Sequence, residues 1–355
     1  MLRRRSSIAR ATLCAASCTL ALPFVANAQR AQRRPTGTVV VSNMNDHTAT
    51  VIDAATGNVL ATLPTGRGPH EVAISRDGRW AVVSNYGPRG EAGNSITVID
   101  VVRRRVARTL EIAGHDHPHG MAFLPGDSLL AVTAQSSEAV LVIDFASGAI
   151  RRVLPTKGRL THMLALSADG RTMVTSNIAA GTISLIDPSG ADSTVTLPVT
   201  AAPEGIAITP DGHAAWVGSD RDSVVVVVDL VKRAPVDTLR GFGLPYRLAM
   251  TPDARLAVVT DPVKAQLRIF DVATRRERAT LDIPADSVVE TAEVPGSPSP
   301  EGVTISGDGR WAFVTLQGRN RAITVDLDSI RIIGWAPTGT WSDGIGYSPL
   351  PSTGR

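Results

Sequence analysis

Residues 203–212 read Pro-Glu-Gly-Ile-Ala-Ile-Thr-Pro-Asp-Gly, and variants of this decamer recur along the chain at intervals of 42 to 55 residues. A repeat of about 40 to 50 residues is typical of β-propellers and solenoids. A second marker, an apolar residue followed by Asp at the end of a predicted strand, also occurs seven times. Two independent markers with the same count predict seven structural repeats. The decamers begin at Pro69, Pro118, Thr161, Pro203, Pro245, Pro300 and Ser342.

Each repeat contains short, β-branched apolar runs separated by turn residues, which is the pattern of β-strands. Before the first decamer, three strands are predicted at residues 38–43, 48–53 and 58–63. The first decamer ends in Arg76-Asp77-Gly78, a hairpin signal, and residues 80–85 then return antiparallel. We therefore expect four antiparallel strands in each repeat.

The order of the strands predicts how the structure closes. Three strands precede the first decamer, whereas no strand follows the last copy, whose strand is residues 344–347. The three N-terminal strands and the one C-terminal strand can complete a single sheet, which leaves no exposed blade edge. The sequence predicts an all-β fold, a closed seven-bladed β-propeller over residues 38–348, with a C-terminal tail at residues 349–355.

The first 28 residues have the pattern of a secretory signal peptide. Four arginines precede an apolar run that ends at Ala26-Asn27-Ala28, and small residues of this kind mark a cleavage site. We expect cleavage after Ala28, a periplasmic or secreted protein, and a flexible lead-in at residues 29–37. Lipoprotein anchoring at Cys18 is not favoured, because Ala15 stands where such a motif has Leu.

Removal of residues 1–28 changes what the composition implies. The formal net charge falls from +3 to −1, and both cysteines are lost with the segment. Nucleic-acid binding is not expected, because it needs a cationic surface. Apolar runs long enough to cross a bilayer are absent from the sequence, so we expect no transmembrane segment. We expect a monomer that is stabilised by core burial alone.

Three tetrapeptides carry a family resemblance: Val82-Val83-Ser84-Asn85, Val40-Val41-Ser42-Asn43 and Trp216-Val217-Gly218-Ser219. They resemble the Tyr-Val-Thr-Asn motif of YVTN-repeat propellers, and the decamer resembles the second signature of that family. The resemblance covers nearly the whole chain after the signal peptide. It implies a seven-bladed propeller similar to YncE-like periplasmic proteins and related to the propeller lactonases.

The second residue of each decamer predicts a site. In a propeller the decamer strand is innermost, so its first residues lie at one rim of the central channel. The seven second residues are His70, His119, His162, Glu204, Tyr246, Glu301 and Asp343. All of them except Tyr246 can ligate a metal through an imidazole or a carboxylate.

Imidazole and carboxylate groups converging at a channel mouth suit Zn²⁺, Cu²⁺ or Fe²⁺. The leading metal ligands are His70, His119 and His162, which belong to successive repeats. A second group of candidate ligands is Glu204, Glu301, Asp343, His115 and His117. The alternative is that these side chains only line the channel and bond to neighbouring backbone.

These patterns favour an exported binding protein with a metal or small-molecule ligand at the channel mouth. One alternative is a metal-dependent enzyme, similar to propeller lactonases and lyases or to an oxidoreductase. Another alternative is a non-catalytic scaffold for a protein partner. Arg247 could anchor a carboxylate or phosphate. The candidate catalytic residues are His70, His119, Glu204, Arg247 and Glu301.

Overall fold

A computed structural model describes residues 33–284 and 294–353 of the chain. Within these ranges there are 28 β-strands and three short 3-10 helices. The strands form seven four-stranded antiparallel sheets, and the innermost strands contact one another in a closed ring. The predicted seven-bladed β-propeller is confirmed. The predicted signal peptide at residues 1–28 lies outside the described residues.

The strands are numbered along the chain, and the blades are numbered from the one that contains both chain ends. Blade 1 comprises β1 (Thr38–Asn43), β2 (Thr48–Asp53), β3 (Val59–Pro64) and β28 (Ser342–Ser348). Blade 2 comprises β4 (Pro69–Ile74), β5 (Trp80–Asn85), β6 (Ser95–Asp100) and β7 (Arg105–Glu111). Blade 3 comprises β8 (Pro118–Phe123), β9 (Leu129–Ala134), β10 (Ala139–Asp144) and β11 (Ile150–Pro155).

Blade 4 comprises β12 (Thr161–Leu166), β13 (Met173–Asn177), β14 (Thr182–Ile186) and β15 (Val195–Pro198). Blade 5 comprises β16 (Pro203–Ile208), β17 (Ala214–Ser219), β18 (Val225–Asp229) and β19 (Ala234–Leu239). Blade 6 comprises β20 (Leu248–Met250), β21 (Leu256–Asp261), β22 (Gln266–Asp271) and β23 (Glu277–Asp282). Blade 7 comprises β24 (Pro300–Ile305), β25 (Trp311–Leu316), β26 (Arg321–Asp326) and β27 (Arg331–Pro337). The 3-10 helices are Gln135–Ser137, Ile178–Ala180 and Gln317–Arg319.

The two ends of the chain meet in blade 1, as the strand count predicts. The strand order there is β28-β1-β2-β3, and Val40 of β1 lies opposite Gly346 of β28 in antiparallel register. This pairing closes the ring of blades with main-chain hydrogen bonds between strands that are about 300 residues apart in sequence.

The hydrophobic core lies between neighbouring blades. One cluster joins Val82 of blade 2 to Leu130 and Leu141 of blade 3, and another joins Val258 of blade 6 to Val314 of blade 7. The second and third strands are buried almost throughout, whereas the outer strands alternate between exposed and half-buried residues. Each blade therefore packs on two neighbours, and the ring holds the inner strands in fixed positions around the channel.

Turn chemistry explains the acidic residues that recur in the sequence. At the end of the first decamer, Asp77 Oδ1 accepts hydrogen bonds from Ser75 Oγ at 2.5 Å and from Arg79 N at 2.9 Å. Gly78 follows at a φ of +77°, a conformation that glycine adopts without strain. In the other series, Asp53 Oδ1 accepts from the amides of Ala55 and Thr56. These aspartates shape turns, as the sequence predicts.

Candidate metal centre

A β-bulge in the inner strand positions the candidate site. In five blades the pairing with the second strand is interrupted between the first and fourth decamer residues, for example between Pro69 and Val72. The amide of the third residue instead meets a hydroxyl of the second strand, as where Glu71 N donates to Ser84 Oγ at 3.0 Å. Bulges re-aim side chains, and here the second and third residues of the decamer are released toward the channel. Ser84 belongs to the Val-Val-Ser-Asn motif, so this motif supports the bulge.

Five of the seven second-position side chains form a continuous row around the channel. His70 Nδ1 lies 3.2 Å from Asp343 Oδ2. The ring centroids of His70 and His119 are 4.3 Å apart, and those of His119 and His162 are 3.6 Å apart. His162 Nε2 lies 2.9 Å from Glu204 Oε1. The structure thus brings the three predicted histidines together, one from each of blades 2, 3 and 4.

His119 lies in the middle of this row and is fully buried. Neither of its ring nitrogens has a hydrogen-bond partner among the described residues. Burial lowers the pKa of His119 well below its usual value, and the neighbouring His162, His70 and Arg247 lower it further. The imidazole is therefore neutral, and a neutral imidazole has a nitrogen lone pair that can bind a metal.

His70 is in a similar state. Burial lowers its pKa well below the usual value, with further lowering by Arg247 and His162 that outweighs an opposing effect of Glu204. Its Nδ1 atom lies near Asp343 and 3.8 Å from Glu71 Oε1, but it makes no hydrogen bond within the described residues. His70 and His119 are thus two neutral imidazoles side by side.

His162 is bound differently from the other two histidines. Its Nε2 atom pairs with Glu204, and its Nδ1 atom lies 3.2 Å from Gln135 Oε1. Burial alone would raise the pKa of Glu204, but its charge interactions and hydrogen bonds with His162 and Arg247 outweigh burial and hold that pKa below its usual value. Both nitrogens of His162 are therefore already engaged, which leaves it less suited to ligate a metal than His70 or His119.

Arg247 crosses the channel from blade 6. Its Nη1 atom donates to Glu204 Oε1 at 2.5 Å, and its Nη2 and Nε atoms donate to Glu71 Oε1 at 2.7 and 3.1 Å. The residue is only 4% exposed, and its guanidinium stacks 4.1 Å from the ring centroid of Tyr246. Arg247 is thus paired internally with two carboxylates, whereas the sequence analysis considers it as an anchor for an external anion.

Glu71 is a site residue that the sequence analysis misses. It follows His70 as the third decamer residue, and at this position four of the seven copies have glycine. A Cβ on any of these four glycines would lie within 2.4 Å of a backbone atom of the next blade, and for Gly302 that atom is the Asp343 carbonyl oxygen at 2.2 Å. A large residue at this position must therefore extend into the channel. The departures from glycine at Glu71, Met163 and Arg247 are the signal that could have identified it.

His70, Glu71 and His119 together form a potential ligand set. Each offers one ligand atom, and the three atoms lie within 4.8 Å of one another. Zinc binds His nitrogens and carboxylate oxygens at about 2.0–2.2 Å, so small side-chain rotations would bring all three atoms to one ion. Two imidazoles and one carboxylate also form a set that binds iron.

The remaining second-position residues lie around the other side of the channel. Glu301 accepts hydrogen bonds from Ser299 Oγ at 2.9 Å and from Gln317 Nε2 at 2.8 Å. Tyr246 is buried, and burial raises its pKa well above the usual value. Glu301 and Tyr246 are therefore separate from the His70, Glu71 and His119 set.

The loop histidines do not join this set. His115 Nδ1 lies 2.8 Å from Ser137 Oγ, and His117 Nδ1 lies 3.1 Å from the carbonyl oxygen of Tyr86. The Tyr86 ring lies between His117 and the buried row, with centroid distances of 4.7 Å to His117 and 5.5 Å to His119. His117 thus packs on an aromatic residue that flanks the site.

A cavity of about 200 Å³ continues the channel next to Glu71 and Arg247. Its lining residues include the apolar Met163, Leu164, Ile206 and Leu248. The charged side chains of Glu71 and Arg247 therefore share this cavity with apolar residues.

Comparisons with known proteins agree with the fold. Residues 36–158 match the family model described as "Lactonase, 7-bladed beta-propeller", and this segment contains His70, Glu71 and His119. No curated protein matches the chain at a significant level.

Two solved structures are similar over most of the chain. Hydrazine synthase of Kuenenia stuttgartiensis shares 19% identity at a TM-score of 0.67, covering 83% of this chain and 93% of that one. A functionally unknown protein from Desulfotomaculum acetoxidans shares 13% identity at a TM-score of 0.72, covering 88% of this chain and 99% of that one. At these identities the similarity supports the fold alone. Within the described residues, no helix is long and apolar enough to cross a membrane.

Proposed function

For this YVTN-like seven-bladed propeller related to the lactonase propellers, we propose the function of an exported metal-binding protein. Its channel mouth binds one transition-metal ion through His70, Glu71 and His119. The metal is zinc, copper or iron, because two imidazoles and a carboxylate suit these ions. Export is part of the proposal because residues 1–28 have the pattern of a cleaved signal peptide.

The observation that carries this proposal is the state of His119. A buried polar group without a hydrogen bond is destabilising by about 1–3 kcal/mol, and His119 has two such atoms. A folded protein keeps such a group where it has a function. Coordination of one ring nitrogen to a metal would use the lone pair that this burial leaves available.

The charge balance around the histidines supports a cation as the ligand. Glu71 and Glu204 share the single guanidinium of Arg247. A buried charge is stable only when it is paired. A metal cation next to Glu71 would compensate negative charge that one arginine shared by two carboxylates does not.

Elemental analysis of the mature protein tests the proposal. The protein should be purified from the periplasm without a histidine tag or chelator, and analysed beside the His119→Gln and His213→Gln variants. His213 is an exposed residue next to Asp211 and serves as the matched control. We expect about one equivalent of transition metal in the wild type and in His213→Gln, and none in His119→Gln.

The proposal is wrong if the wild type and both variants hold no metal, even after incubation with Zn²⁺, Cu²⁺ and Fe²⁺. Equal metal content in His119→Gln and the wild type would also contradict it, because the ion would then lie elsewhere. Circular dichroism of each variant verifies that the fold is retained.

A second candidate function is metal-dependent hydrolysis of a lactone. It is favoured by one observation, because the matching lactonase segment contains all three proposed ligands. A metal next to the cavity beside Glu71 and Arg247 could polarise a carbonyl group. Turnover of a panel of lactones by the metal-loaded protein, lost in His119→Gln, would support this function. Full metal occupancy without turnover of any lactone would leave metal binding as the function.

A further inference from the structure

We propose that the channel site is selective for copper in its cuprous state, with the thioether of Met163 as an additional ligand. This inference rests on the proposed function, and it names the metal. Thioether sulfur is a soft ligand that favours Cu(I), whereas imidazole nitrogen binds copper, zinc and iron alike.

The first supporting observation is the position of Met163 in its blade. It is the third decamer residue of blade 4 and directly follows His162. Glu71 and Arg247 occupy the same position in their blades and extend into the channel, where they meet. The amide of Met163 meets Ser176 Oγ at 3.0 Å, as the amide of Glu71 meets Ser84. The two residues therefore leave their strands in the same way.

The second observation is that Glu71 and Met163 line one cavity with Gly120 between them. Gly120 is the third decamer residue of blade 3, and it directly follows His119. Glycine at this position lets the backbone of Met163 approach blade 3 closely, since a Cβ on Gly120 would lie 2.4 Å from Leu164 N and 3.0 Å from Met163 Cα. An ion bound by Glu71 would therefore lie at the cavity that Met163 also lines.

The third observation separates Met163 from the other methionine at this cavity. Met121 also lines it, but Met121 is part of the hydrophobic core between blades 2 and 3, together with Phe123 and Leu130. Met163 belongs to none of the core clusters formed by the described residues. A methionine in the channel rather than in the core is available as a ligand.

Competition titrations of the metal-free mature protein test this inference. Cu(I) is kept reduced with ascorbate under anaerobic conditions and titrated against a Cu(I) chelator, and Zn²⁺ is titrated in parallel. We expect Cu(I) to bind more tightly than Zn²⁺. Met163→Leu, which conserves volume, should weaken Cu(I) binding by roughly tenfold or more and change Zn²⁺ binding by less than about threefold, since thioether selects Cu(I).

Met121→Leu is the matched control, and it should bind Cu(I) like the wild type. X-ray absorption of the Cu(I) form supplies an independent readout. The chain after Ala28 contains no cysteine, so any sulfur bound to copper comes from methionine. We expect copper–sulfur scattering in the wild type and in Met121→Leu, and its loss in Met163→Leu.

Three outcomes would overturn the inference. Zinc bound at one equivalent without Cu(I) binding would leave a metal site that is not selective for copper. Unchanged Cu(I) affinity in Met163→Leu, or loss in Met121→Leu alone, would remove Met163 from the ligand set. Failure of every metal to bind would instead contradict the proposed function itself, so the two failures are distinguishable.

Discussion

His119 and its neighbours show how burial sets the chemistry of single residues. Burial and the nearby Arg247 cation hold the pKa values of His70 and His119 well below the usual range, which keeps both imidazoles neutral. His162 meets an acceptor at each ring nitrogen. Three histidines from equivalent positions in successive blades thus differ in their contacts, which divides them into two proposed ligands and one partner of Glu204.

This division leads to a prediction about two substitutions. Glu71→Gln should weaken Zn²⁺ binding by about tenfold or more. Substitution of a residue that only orients a metal ligand weakens metal affinity by about 10–100-fold, so loss of a ligand itself should weaken it by at least the lower factor. His162→Gln should bind Zn²⁺ within about threefold of the wild type, because its nitrogens are engaged with Glu204 and Gln135. Isothermal titration calorimetry measures both affinities. A large loss in His162→Gln with none in Glu71→Gln would restore the three-histidine site that the sequence suggests.

Arg247 gives a second prediction at this scale. Arg247→Gln removes the cation from Glu71 and Glu204, and loss of one partner of a buried ion pair is destabilising by about 3–5 kcal/mol. Saturating Zn²⁺ should stabilise this variant more than it stabilises the wild type, because the ion would then be the main positive charge near Glu71. Urea unfolding with and without Zn²⁺ measures both effects. Equal stabilisation of the two proteins by Zn²⁺ would show that the metal does not lie near Glu71.

The candidate site is only partly predictable from the sequence at this scale. The second-position histidines are predictable because the decamer places them at one rim. Glu71 is not found in the same way, because the bulge that turns the third residue into the channel is a property of strand pairing. The contacts of His162 also differ from those of His119, because partners of His162 such as Gln135 come from elsewhere in the chain.

At the scale of the element, the bulged inner strand is the unit that builds the site. Glycine at its third position permits close contact with the next blade, and the Ser or Thr of the second strand meets its amide, as where Gly302 N donates to Thr315 Oγ1 at 2.8 Å. The strands themselves are predictable because alternation and turn residues are local signals. The first two predicted strands match β1 and β2, and the third is shifted by one residue, to Val59–Pro64.

The inner strand of blade 6 differs from the expected pattern. The decamer begins at Pro245, but the strand covers only Leu248–Met250. Asp261 stands where blades 1, 2 and 4 have Asn, and its carboxylate accepts from the amides of Gly243 and Leu244 at 2.7 and 2.9 Å. The chain before the strand is therefore held by a side chain, which the decamer pattern does not reveal.

A pair of glycine substitutions tests the role of the inner strand. Gly302→Ala would place a Cβ 2.2 Å from the Asp343 carbonyl oxygen, and we expect a destabilisation of about 1–3 kcal/mol, as for other overpacked sites. Gly307→Ala is the matched control, because its Cβ would meet no atom within 4 Å, and its effect should stay within about 0.5 kcal/mol. Thermal melts followed by circular dichroism compare them. Equal stability of the two variants would mean that the blades do not need this close contact.

At the scale of the whole molecule, closure of the ring holds the site together. Blade 1 contributes Asp343 from β28, and blade 2 contributes His70, so the contact between them links the last strand to the first decamer. The carbonyl oxygen of His70 also accepts a hydrogen bond from Ser42 Oγ of β1. Both chain ends are therefore connected to the candidate metal centre.

Truncation tests this connection. A chain that ends before Ser342 lacks β28, which leaves the β1 edge unpaired, and unpaired edges favour aggregation. We expect no cooperative unfolding transition and no metal binding in this variant. A chain that ends at Thr353 keeps β28 and should behave like the wild type. A cooperative, metal-binding protein without β28 would show that ring closure is not required.

The central claim, a metal ion held between blades 2 and 3, is tested most directly by anomalous diffraction. Crystals of the mature protein should be soaked in Zn²⁺, and data collected on both sides of the zinc absorption edge. We predict one anomalous peak within about 2.0–2.2 Å of the nearest ligand atoms of His70, Glu71 and His119. A channel without a peak, or a peak only at exposed residues such as His213, would contradict the account.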